Sequence, residues 1–366
     1  MTQIQIELKN IEKLQTHNKK PVLIAGPCSA ESREQVLDCA TQLSAQGIGI
    51  FRAGVWKPRT RPSCFGGIGE PALKWLKEVK EKTGMAVTTE VAHARHVEAA
   101  LEAGIDILWI GARTTTSPFA VQEIADSLRN IDIPVLVKNP INAELDLWLG
   151  AFERLAGAGV KRLAAIHRGF SSYGERIYRY APHWQIPVEL RRRIPGLPVL
   201  CDPSHIAGRS DLVGLVAQMA LDMKSDGLFI EVHPNPEKAL SDKAQQLTPA
   251  EFKQLTESLV CHRDPDDEDL AVLQPYREQI EAIDRKLTAT LAERLEAARL
   301  TGDLKRLRNL TVLQPGHYRS LIDEMIAEGC KYGLDEEFVR SIFEIIHAES
   351  IHSQLEAYNK KREPEA

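Results

Sequence analysis

The sequence predicts an α/β fold: a (β/α)8 TIM barrel followed by a small all-α domain of three helices that dimerises. Up to about residue 260, short β-rich runs alternate with amphipathic helix-length segments, several of which end at a glycine. Beyond residue 270 only helical periodicity remains. We therefore divide the chain into a barrel over residues 1–260, a linker over 261–271 and a helical domain over 272–366.

Eight candidate strands occupy the barrel region. They are VLIAG (22–26), IGIF (48–51), AVTTE (86–90), ILWIG (107–111), PVLVK (134–138), RLAAIH (162–167), PVLCD (198–202) and GLFIEV (227–232). Eight strands alternating with helices over roughly 250 residues are typical of a closed barrel. A doubly wound open sheet is the alternative, but it more often carries a glycine-rich phosphate loop after its first strand, and GPCSAES is not such a loop.

Composition excludes several classes of partner and location. The 366 residues carry a formal net charge of −5, which makes a poor bulk match for nucleic acid or an anionic membrane. No apolar run approaches the ~18–20 residues of a spanning helix, and MTQIQIELKN lacks the features of a signal peptide. The six cysteines are scattered without a disulfide framework. We expect a cytoplasmic protein that binds neither nucleic acid nor membrane.

Positive charge follows several of the predicted strands. Functional residues of a TIM barrel lie at the carboxyl ends of its strands. The basic residues at or after strands two, four, five and six are Arg52, Lys57, Arg59, Arg113, Lys138 and Arg168. Arginine matches carboxylate and phosphate through two parallel donors, and lysine acts as a point charge. This arrangement predicts that the barrel mouth binds more than one phosphate or carboxylate group.

A second group of strand-end residues has the side chains of a metal site. Cys28, His205, Glu231 and Asp242 supply a thiol, an imidazole and two carboxylates at the same end of the barrel. Alone, each would more often be a buried cysteine or a hydrogen-bonded loop residue. Their agreement favours a divalent metal, and the mixed donors suit Mn²⁺, Fe²⁺, Co²⁺ or Zn²⁺ better than Mg²⁺ or Ca²⁺.

The motifs GPCS (26–29), KPRT (57–60), GAR (111–113), DPSH (202–205) and EVHP (231–234) resemble the type I-beta 3-deoxy-D-arabino-heptulosonate 7-phosphate (DAHP) synthases. The resemblance covers residues 20–260. It implies condensation of phosphoenolpyruvate with erythrose 4-phosphate on a divalent metal, with Mn²⁺ as the first choice. The implied metal ligands are Cys28, His205, Glu231 and Asp242. The implied phosphoenolpyruvate contacts are Arg52, Lys57, Arg113, Lys138 and Arg168, and those of erythrose 4-phosphate are Arg59 and Thr60.

This chemistry agrees with the residue types. A metal polarises the aldehyde carbonyl, the enol carbon C3 attacks it, water adds at C2, and phosphate leaves with C–O cleavage. Lys57 can serve as a point charge or proton donor. Glu90, His167 and His233 are further candidates for proton transfer or support, and Arg61 is expected to face water. The related 3-deoxy-manno-octulosonate 8-phosphate synthases share GPC but differ at KPRT, which favours the four-carbon aldehyde.

The tail from residue 270 predicts a long helix over 270–308, a second over about 317–329 and a third with Asp335 as its N-cap. The apolar stripe of the first helix runs through Tyr276, Ile280, Ile283, Leu287, Leu291 and Leu295 and predicts a homodimer. Polar residues on these helices exceed what packing alone requires. They are Arg277, Arg294 and Lys305 on the first helix and Ser350 and Gln354 on the last.

YREQIEAIDRKLTATLAERL together with ESIHSQ resembles the AroQ-type, all-helical chorismate mutases. The resemblance implies that Arg277 reaches the partner's site and that Arg294 and Lys305 bind the dicarboxylate. It also implies that Lys305 and Gln354 contact the ether oxygen, with Ser350 on the same helix face. Such a rearrangement of chorismate to prephenate needs only a held conformer and stabilised charge.

Three hypotheses remain for the tail: a mutase, a sensor through which prephenate or chorismate regulates the barrel, and a structural dimerisation unit. We favour a bifunctional enzyme whose helical domain also gives feedback regulation by prephenate. The sequence departs from the mutase pattern at the start of the second helix. An Arg–Glu pair is usual there, and QPGHYR places His317 and Tyr318 instead.

We predict a weaker mutase in which protonated His317, or Arg319 after a local shift, takes over the contact of the usual arginine. A protonated imidazole can bind a carboxylate, so wild-type turnover should exceed that of His317→Ala most at about pH 5. The difference should shrink as the pH rises through a histidine pKa of about 6.5. Chorismate turnover measured from about pH 5 to about pH 8 checks this, and identical profiles for the two proteins would exclude the role.

Overall fold

The computed structural model describes residues 4–14, 21–59, 61 and 63–359, without the side chains at positions 13, 315 and 317. The chain divides into two compact units, Met1–Arg263 and Asp264–Ala366. The division falls inside the predicted linker. Each unit has its own secondary structure and is described separately below.

The first unit is a closed barrel of eight parallel strands in sequential order, in which β1 pairs with both β2 and β8. The strands are β1 Val22–Gly26, β2 Ile50–Arg52, β3 Ala86–Val91, β4 Ile107–Ile110, β5 Val135–Lys138, β6 Leu163–His167, β7 Val199–Cys201 and β8 Gly227–Glu231. The predicted TIM barrel is therefore confirmed. The second strand begins and ends later than predicted, so Arg52 is itself a strand residue rather than a loop residue.

Ten α-helices belong to the described part of this unit. They are α1 Arg33–Ser44, α2 Leu73–Thr83, α3 Ala94–Glu102, α4 Ala112–Thr115, α5 Pro118–Ser127, α6 Leu145–Gly157, α7 Gln185–Arg193, α8 Pro203–Ala207, α9 Ser210–Asp222 and α10 Pro249–Ser258. Several begin at a side chain that accepts a hydrogen bond from the first turn. Ser32 caps α1, Ser117 caps α5, and Thr248 forms a capping box with Glu251 at α10.

The barrel unit has two hydrophobic cores, one inside the barrel and one between the strands and the surrounding helices. Inward side chains such as Ile50, Leu136 and Phe229 form one core, which Ile11 and Leu14 join from the N-terminal segment. Their strand neighbours, for example Phe51, Val137 and Ile230, belong to the other core. Since side chains alternate along a strand, a residue two positions after an inward one also points inward.

Gly26 marks the place where the ends of β1 and β2 approach most closely. Its φ is +149°, and a Cβ atom there would lie 2.1 Å from the carbonyl oxygen of Arg52. Only glycine combines this backbone conformation with this separation. The glycine of GPCS therefore sets the position of Cys28, two residues further along, relative to Arg52.

The second unit consists of α11 Asp267–Leu307, α12 Pro315–Lys331 and α13 Glu336–Asn359. The first helix begins three residues earlier than predicted because Asp266 and Asp269 form a capping box. As a correction to the predicted linker over residues 261–271, its residues from Asp267 onward are therefore helical. Asp335 accepts a hydrogen bond from the backbone of Phe338 at 3.0 Å, as expected of an N-cap.

The packing of α11 on α13 depends on a glycine near the C-terminal end of α11. A Cβ atom at Gly302 would lie 2.8 Å from both the Cα and the carbonyl oxygen of Gln354. Glycine costs helix propensity, about 1 kcal/mol relative to alanine, but here it permits a backbone contact that no larger residue would allow. In the single chain, the predicted stripe on α11 stays exposed at Tyr276, Ile280 and Leu287.

All six cysteines have free thiols. Cys28, Cys39 and Cys201 are buried, and the other three are exposed. Within the described ranges, no helix is both long enough and apolar enough to cross a lipid bilayer.

Candidate active sites

The barrel mouth is built from side chains that share the inward register of the strands. Arg52 follows inward Ile50 by two positions, Lys138 follows Leu136, and Glu231 follows Phe229. Glu90, Arg168 and Asp202 obey the same spacing. The resulting pocket is lined by Lys57, Pro58, Arg59, Glu90, Gly111, Ala112, Arg113, Lys138, Arg168, His205 and Asp242. The predicted basic residues, scattered over more than 100 positions, thus converge at one end of the barrel.

Asp202 is the centre of a buried network of charges beneath this pocket. Its Oδ2 atom lies 2.8 Å from Lys138 Nζ, 2.8 Å from His205 Nδ1 and 3.8 Å from Arg52 Nη1. Its Oδ1 atom accepts the backbone N–H of His205 at 3.1 Å, at the start of α8. Burial opposes the charged carboxylate, but His205 and Lys138 outweigh it and hold the pKa of Asp202 well below its usual range.

Arg52 is fully buried between Glu231 and two aromatic rings. Its Nη2 atom donates to Glu231 Oε1 at 3.0 Å, and its guanidinium lies 4.3 Å from the Phe229 ring centre and 5.2 Å from that of Trp109. Among the residues that the structure describes, Arg52 Nε and Nη1 have no hydrogen-bond partner, although Nη1 lies near Asp202. Because buried donors are rarely left unsatisfied, they indicate a place for an anion.

Arg168, on the other side of the mouth, also has a buried donor without a described hydrogen-bond partner. Its guanidinium stacks on the Tyr180 ring at 3.6 Å, and its Nη1 atom has no hydrogen-bond partner within the described ranges. Burial lowers the pKa of both Arg168 and Lys138, which shows that their charges are poorly solvated here. A bound anion would stabilise both charges.

Lys57 and Glu90 form an acid–base pair at the pocket wall. Lys57 Nζ lies 4.0 Å from Glu90 Oε2, and both side chains are nearly buried. Burial opposes the lysine charge, but Cys28 and Glu90 outweigh it and raise the pKa of Lys57. A Cβ atom at position 111 would lie 2.0 Å from Glu90 Oε1, so Gly111 of the GAR motif leaves room for this carboxylate.

The structure brings three of the four predicted metal ligands together. The ligand atoms of Cys28, Glu231 and Asp242 all lie within 4.8 Å of one another, and Cys28 Sγ is 3.3 Å from Asp242 Oδ2. His205 borders this group at 3.9 Å from Glu231 Oε1, but its Nδ1 atom faces Asp202. Burial and Glu231 raise the pKa of the Cys28 thiol to about 12. A buried thiol beside two carboxylates fits a divalent cation, which would favour the thiolate.

Asp242 is held by arginines from two separate loops. Its carboxylate oxygens lie 3.8 Å from Arg59 Nη1 and 3.1 Å from Arg179 Nη1. Burial raises the pKa of Asp242, but His205, then Arg179, outweigh it and hold that pKa below its usual range. Arg179 Nη1 also donates to Gln245 Oε1 at 2.6 Å. The Gln245 amide in turn donates to Glu231 Oε2 at 2.7 Å.

Sequence reasoning missed Arg179 and Gln245 and gave Asp202 no role. Asp202 could have been found, because it ends the seventh predicted strand within DPSH. Arg179 lies in the long connection between β6 and α7, and Gln245 ends a three-residue 3-10 helix, Lys243–Gln245, in the connection between β8 and α10. Residues in such connections show no periodicity, so the sequence offers no signal for their positions.

Other predicted residues lie elsewhere. Thr60 falls outside the described residues, and Arg61 is exposed as expected. His167 lies two positions after outward-facing Ala165 on β6, so it also points outward, away from the mouth. Its Nε2 atom lies 2.6 Å from the Pro182 carbonyl oxygen. His233 lies 3.7 Å from Glu31 and accepts from the backbone of Asn235. Of the three suggested proton carriers, only Glu90 lines the pocket.

A second site lies in the helical unit, in a cavity of about 340 Å³. That volume is at the lower end of the ~300–1,000 Å³ typical of small-molecule sites. Arg294 Nη1 donates to Ser350 Oγ, and Lys305 Nζ contacts Gln354 Oε1 at 2.9 Å and the Val312 carbonyl oxygen at 2.6 Å. Burial lowers the pKa of both Arg294 and Lys305.

The lining of this cavity carries basic but no acidic side chains. It consists of Arg294, Ala297, Ala298, Thr301, Lys305, Val312, Leu313, Gln314, Tyr318, Leu321, His347, Ser350, Ile351 and Gln354. Tyr318 packs on His347 at a tilt of 34°, with ring centres 4.2 Å apart. Two cations with only neutral partners suit a dianionic ligand.

The predictions for Arg277, which is expected to reach the partner's site, and for His317 stay predictions. Arg277 is exposed and precedes Arg294 by 17 residues on the same helix, a separation of about 25 Å at 1.5 Å per residue. The side chain of His317 lies outside the described residues, and its backbone belongs to the first turn of α12.

Comparison with known proteins assigns each unit to a family. The sequence profile described as the DAHP synthetase I family matches residues 3–263, and that of chorismate mutase type II matches residues 276–355. The phospho-2-dehydro-3-deoxyheptonate aldolase of Thermotoga maritima is 36% identical over 237 residues, covering 65% of this chain and 68% of the relative. The 2-dehydro-3-deoxyphosphooctonate aldolase of Syntrophotalea carbinolica is 29% identical over 266 residues, covering 67% and 91%.

Two solved structures agree with this assignment. The DAHP synthase of Thermotoga maritima has a TM-score of 0.60 at 35% identity, covering 66% of this chain and 68% of its own. A truncated form of the synthase from that organism has a TM-score of 0.57 at 33% identity, covering 66% and 85%. The chain therefore belongs to the DAHP synthetase I family and carries a chorismate mutase type II domain after its barrel, which makes it a bifunctional enzyme with a transferase domain and an isomerase domain.

Proposed function

We propose that the barrel mouth condenses phosphoenolpyruvate with erythrose 4-phosphate, and that the cavity of the helical unit rearranges chorismate to prephenate. The observation that carries the first assignment is the pairing of unsatisfied buried donors on Arg52 and Arg168 with an adjacent thiol–carboxylate cluster. The donors suit an anionic substrate, and the cluster suits a cation that acts on a carbonyl group.

Phosphoenolpyruvate is assigned to the buried cations. The residues proposed to bind it are Arg52, Lys57, Arg113, Lys138 and Arg168. Arg52 and Arg168 offer free donors, while Lys138 is held in place by Asp202 at 2.8 Å. Lys57, beside Glu90, is the group we assign to proton donation, because its nearest carboxylate can accept or return a proton.

A divalent metal, with Mn²⁺ as the first choice, is assigned to Cys28, His205, Glu231 and Asp242. Three of these are already within 4.8 Å of one another, and rotation of His205 away from Asp202 would bring in the fourth. When bound, the cation supplies Lewis-acid polarisation of the aldehyde carbonyl. Arg52 and Gln245 keep the Glu231 carboxylate oriented through bonds of 3.0 and 2.7 Å.

Erythrose 4-phosphate is assigned to Arg59 together with Thr60. Arg59 Nε donates to the Phe65 carbonyl oxygen at 2.9 Å, and its Nη1 atom lies 3.8 Å from Asp242. This places the guanidinium between the loop and the metal cluster, where an aldehyde with a terminal phosphate would span both. The octulosonate enzymes among the relatives are 28–29% identical, and the KPRT motif favours the four-carbon aldehyde over theirs.

In the helical unit we assign the carboxylates of chorismate to Arg294 and Lys305. Lys305 and Gln354 lie 2.9 Å apart and together can donate to the ether oxygen as negative charge develops. Ser350 orients Arg294, and Arg277 is assigned to the site of the partner subunit, because it lies too far along α11 to serve its own. His317 is assigned to carboxylate binding when protonated.

We further propose a homodimer formed through the helical unit, feedback inhibition by prephenate bound in its cavity, and a cytoplasmic location. The exposed apolar stripe on α11 supports the dimer, since it leaves large side chains such as Ile280, Ile283 and Leu287 in water. A cavity lined by two cations supports binding of a dicarboxylate product as well as its substrate. Six free thiols suit a reducing compartment.

Replacing Arg59 by alanine should raise the KM for erythrose 4-phosphate at least tenfold and change that for phosphoenolpyruvate less than threefold. The reason is loss of a charge-assisted contact, about 1.5–3 kcal/mol, to one substrate only. Initial rates with each substrate varied in turn provide the measurement. Arg61→Ala, two positions along the same loop, is the matched control and should behave as wild type. Equal increases of the two KM values in Arg59→Ala would refute the assignment of Arg59 to erythrose 4-phosphate alone.

Removal of divalent metal by a chelator should abolish the condensation and leave the chorismate rearrangement unchanged. Among the residues that the structure describes, a thiol and carboxylates converge in the barrel, whereas the described lining of the helical cavity has neither. Mn²⁺ should restore the condensation, and an Asp242→Asn variant should retain less Mn²⁺ in elemental analysis. Condensation that survives chelation would contradict the assignment.

The rate of condensation also tests feedback regulation, because prephenate should inhibit the condensation in the full chain. Deleting residues 262–366 should abolish that inhibition. Inhibition that persists after the deletion, or none in the full chain, would count against a sensor role for the helical unit.

Placing a charge on the α11 stripe should dissociate the dimer. Leu287→Lys removes about 1.5–3 kcal/mol of apolar burial on each side of a two-fold interface. Sedimentation should shift from dimer to monomer. Leu300→Lys, which replaces an equally exposed leucine on the opposite face of α11, is the matched control and should leave the dimer intact. A wild-type chain that sediments as a monomer would exclude the proposal.

A further inference from the structure

The connection between β2 and α2 carries Lys57 and Arg59 and is folded into a closed loop. Two backbone hydrogen bonds join its arms: Lys57 N donates to Gly66 O at 2.9 Å, and Gly69 N donates to Val55 O at 2.8 Å. Gly67 has a φ of +93°, and a Cβ atom there would lie 2.2 Å from the Val55 carbonyl oxygen. The two arms therefore touch at the base, directly beside Lys57.

Trp56 projects from this base and packs outside the loop, against His96. The two rings are stacked, with centres 3.9 Å apart and planes within 7° of parallel. The His93 ring lies against His96 at a tilt, with ring centres 3.6 Å apart and planes 38° from parallel. This column of rings contacts the loop at the residue immediately before Lys57.

His96 is a fixed support for this contact. It lies in the first turn of α3, and its Nδ1 atom accepts the backbone N–H of Ala92 at 3.3 Å. The next residue, Val97, is fully buried against the barrel. Burial, His93 and Arg95 lower the pKa of His96 to about 4, so at neutral pH the imidazole offers an uncharged face to the indole.

Neither ring lines the barrel mouth, and the established family motifs do not include His96. What the column can do is fix the base of the loop. Beyond the base, Arg59 depends on the loop's own Phe65 carbonyl and on a 3.8 Å contact with Asp242. A shift at Trp56 would therefore carry Lys57 and Arg59 with it.

We infer that Trp56 and His96 are positioning residues, which hold the loop so that Arg59 meets the phosphorylated aldehyde and Lys57 faces the other substrate. The inference rests on the proposed function for the assignment of Arg59. The stacked geometry itself does not depend on that assignment.

The test compares His96→Ala, which removes the ring, with His96→Phe, which keeps a flat ring at the same place. In the full-length enzyme, His96→Ala should raise the KM for erythrose 4-phosphate roughly tenfold and that for phosphoenolpyruvate less than threefold, as expected for a small misplacement of a binding group. His96→Phe should stay within about twofold of wild type. Chorismate turnover should be unchanged in both and reports that the helical unit remains folded, while a KM for phosphoenolpyruvate within threefold of wild type reports that the barrel does.

A second readout follows the loop without any substrate. Limited tryptic cleavage after Arg59, the tryptic site of this stretch that no proline follows, should be several-fold faster in His96→Ala than in wild type or His96→Phe, because an unanchored loop opens more often. Equal cleavage rates in the three proteins would overturn the inference, as would a His96→Phe protein impaired as strongly as His96→Ala. If Arg59→Ala leaves the aldehyde KM unchanged while cleavage of His96→Ala is still accelerated, the proposed role of Arg59 fails and the positioning of the loop stands.

Discussion

The barrel mouth depends on the two-residue period of its strands. An inward hydrophobic residue near the middle of a strand dictates that the residue two positions later also points inward, at the carboxyl end. In this way Ile50, Leu136 and Phe229 determine that Arg52, Lys138 and Glu231 meet at the top of the barrel interior. His167 shows the opposite case: it ends β6 at a position whose side chain points outward, and it packs towards the helices. A shift of one residue in any strand would exchange these roles.

Burying so many charges is costly unless each one has a partner, and the mouth meets this requirement unevenly. Asp202 compensates Lys138 and His205, and Glu231 compensates Arg52. Arg52 and Arg168 nevertheless retain donors with no described partner, and Cys28 stands among carboxylates that disfavour its thiolate. The unsatisfied cationic donors and the crowded carboxylates therefore lie side by side. An anionic substrate and a divalent cation would each correct one of them, which is why the two are expected to bind in the same place.

The helical unit also gathers cations for an anionic ligand, and it does so at the interface of two helices. Gly302 lets α11 and α13 approach until Lys305 and Gln354 lie 2.9 Å apart, and Arg294 meets Ser350 at the same interface. Here the cations are paired with neutral groups, so their charge is left for a ligand. Of the two residues that depart from the mutase pattern, Tyr318 lines the same cavity, packs on His347 and contributes no negative charge.

The sequence by itself determined the barrel, the eight strands to within about two residues and the three helices of the tail, because alternation and helical periodicity are local properties. Its motifs also named most side chains of both sites. Tertiary structure alone decided which of them meet. It gave Asp202 its central position, turned His205 towards Asp202, brought Arg179 and Gln245 to Asp242 and Glu231, and placed His96 beneath Trp56. Most of these contacts join residues far apart in the chain, and those in the connections between strands and helices, such as Arg179, have no period from which their positions could be read.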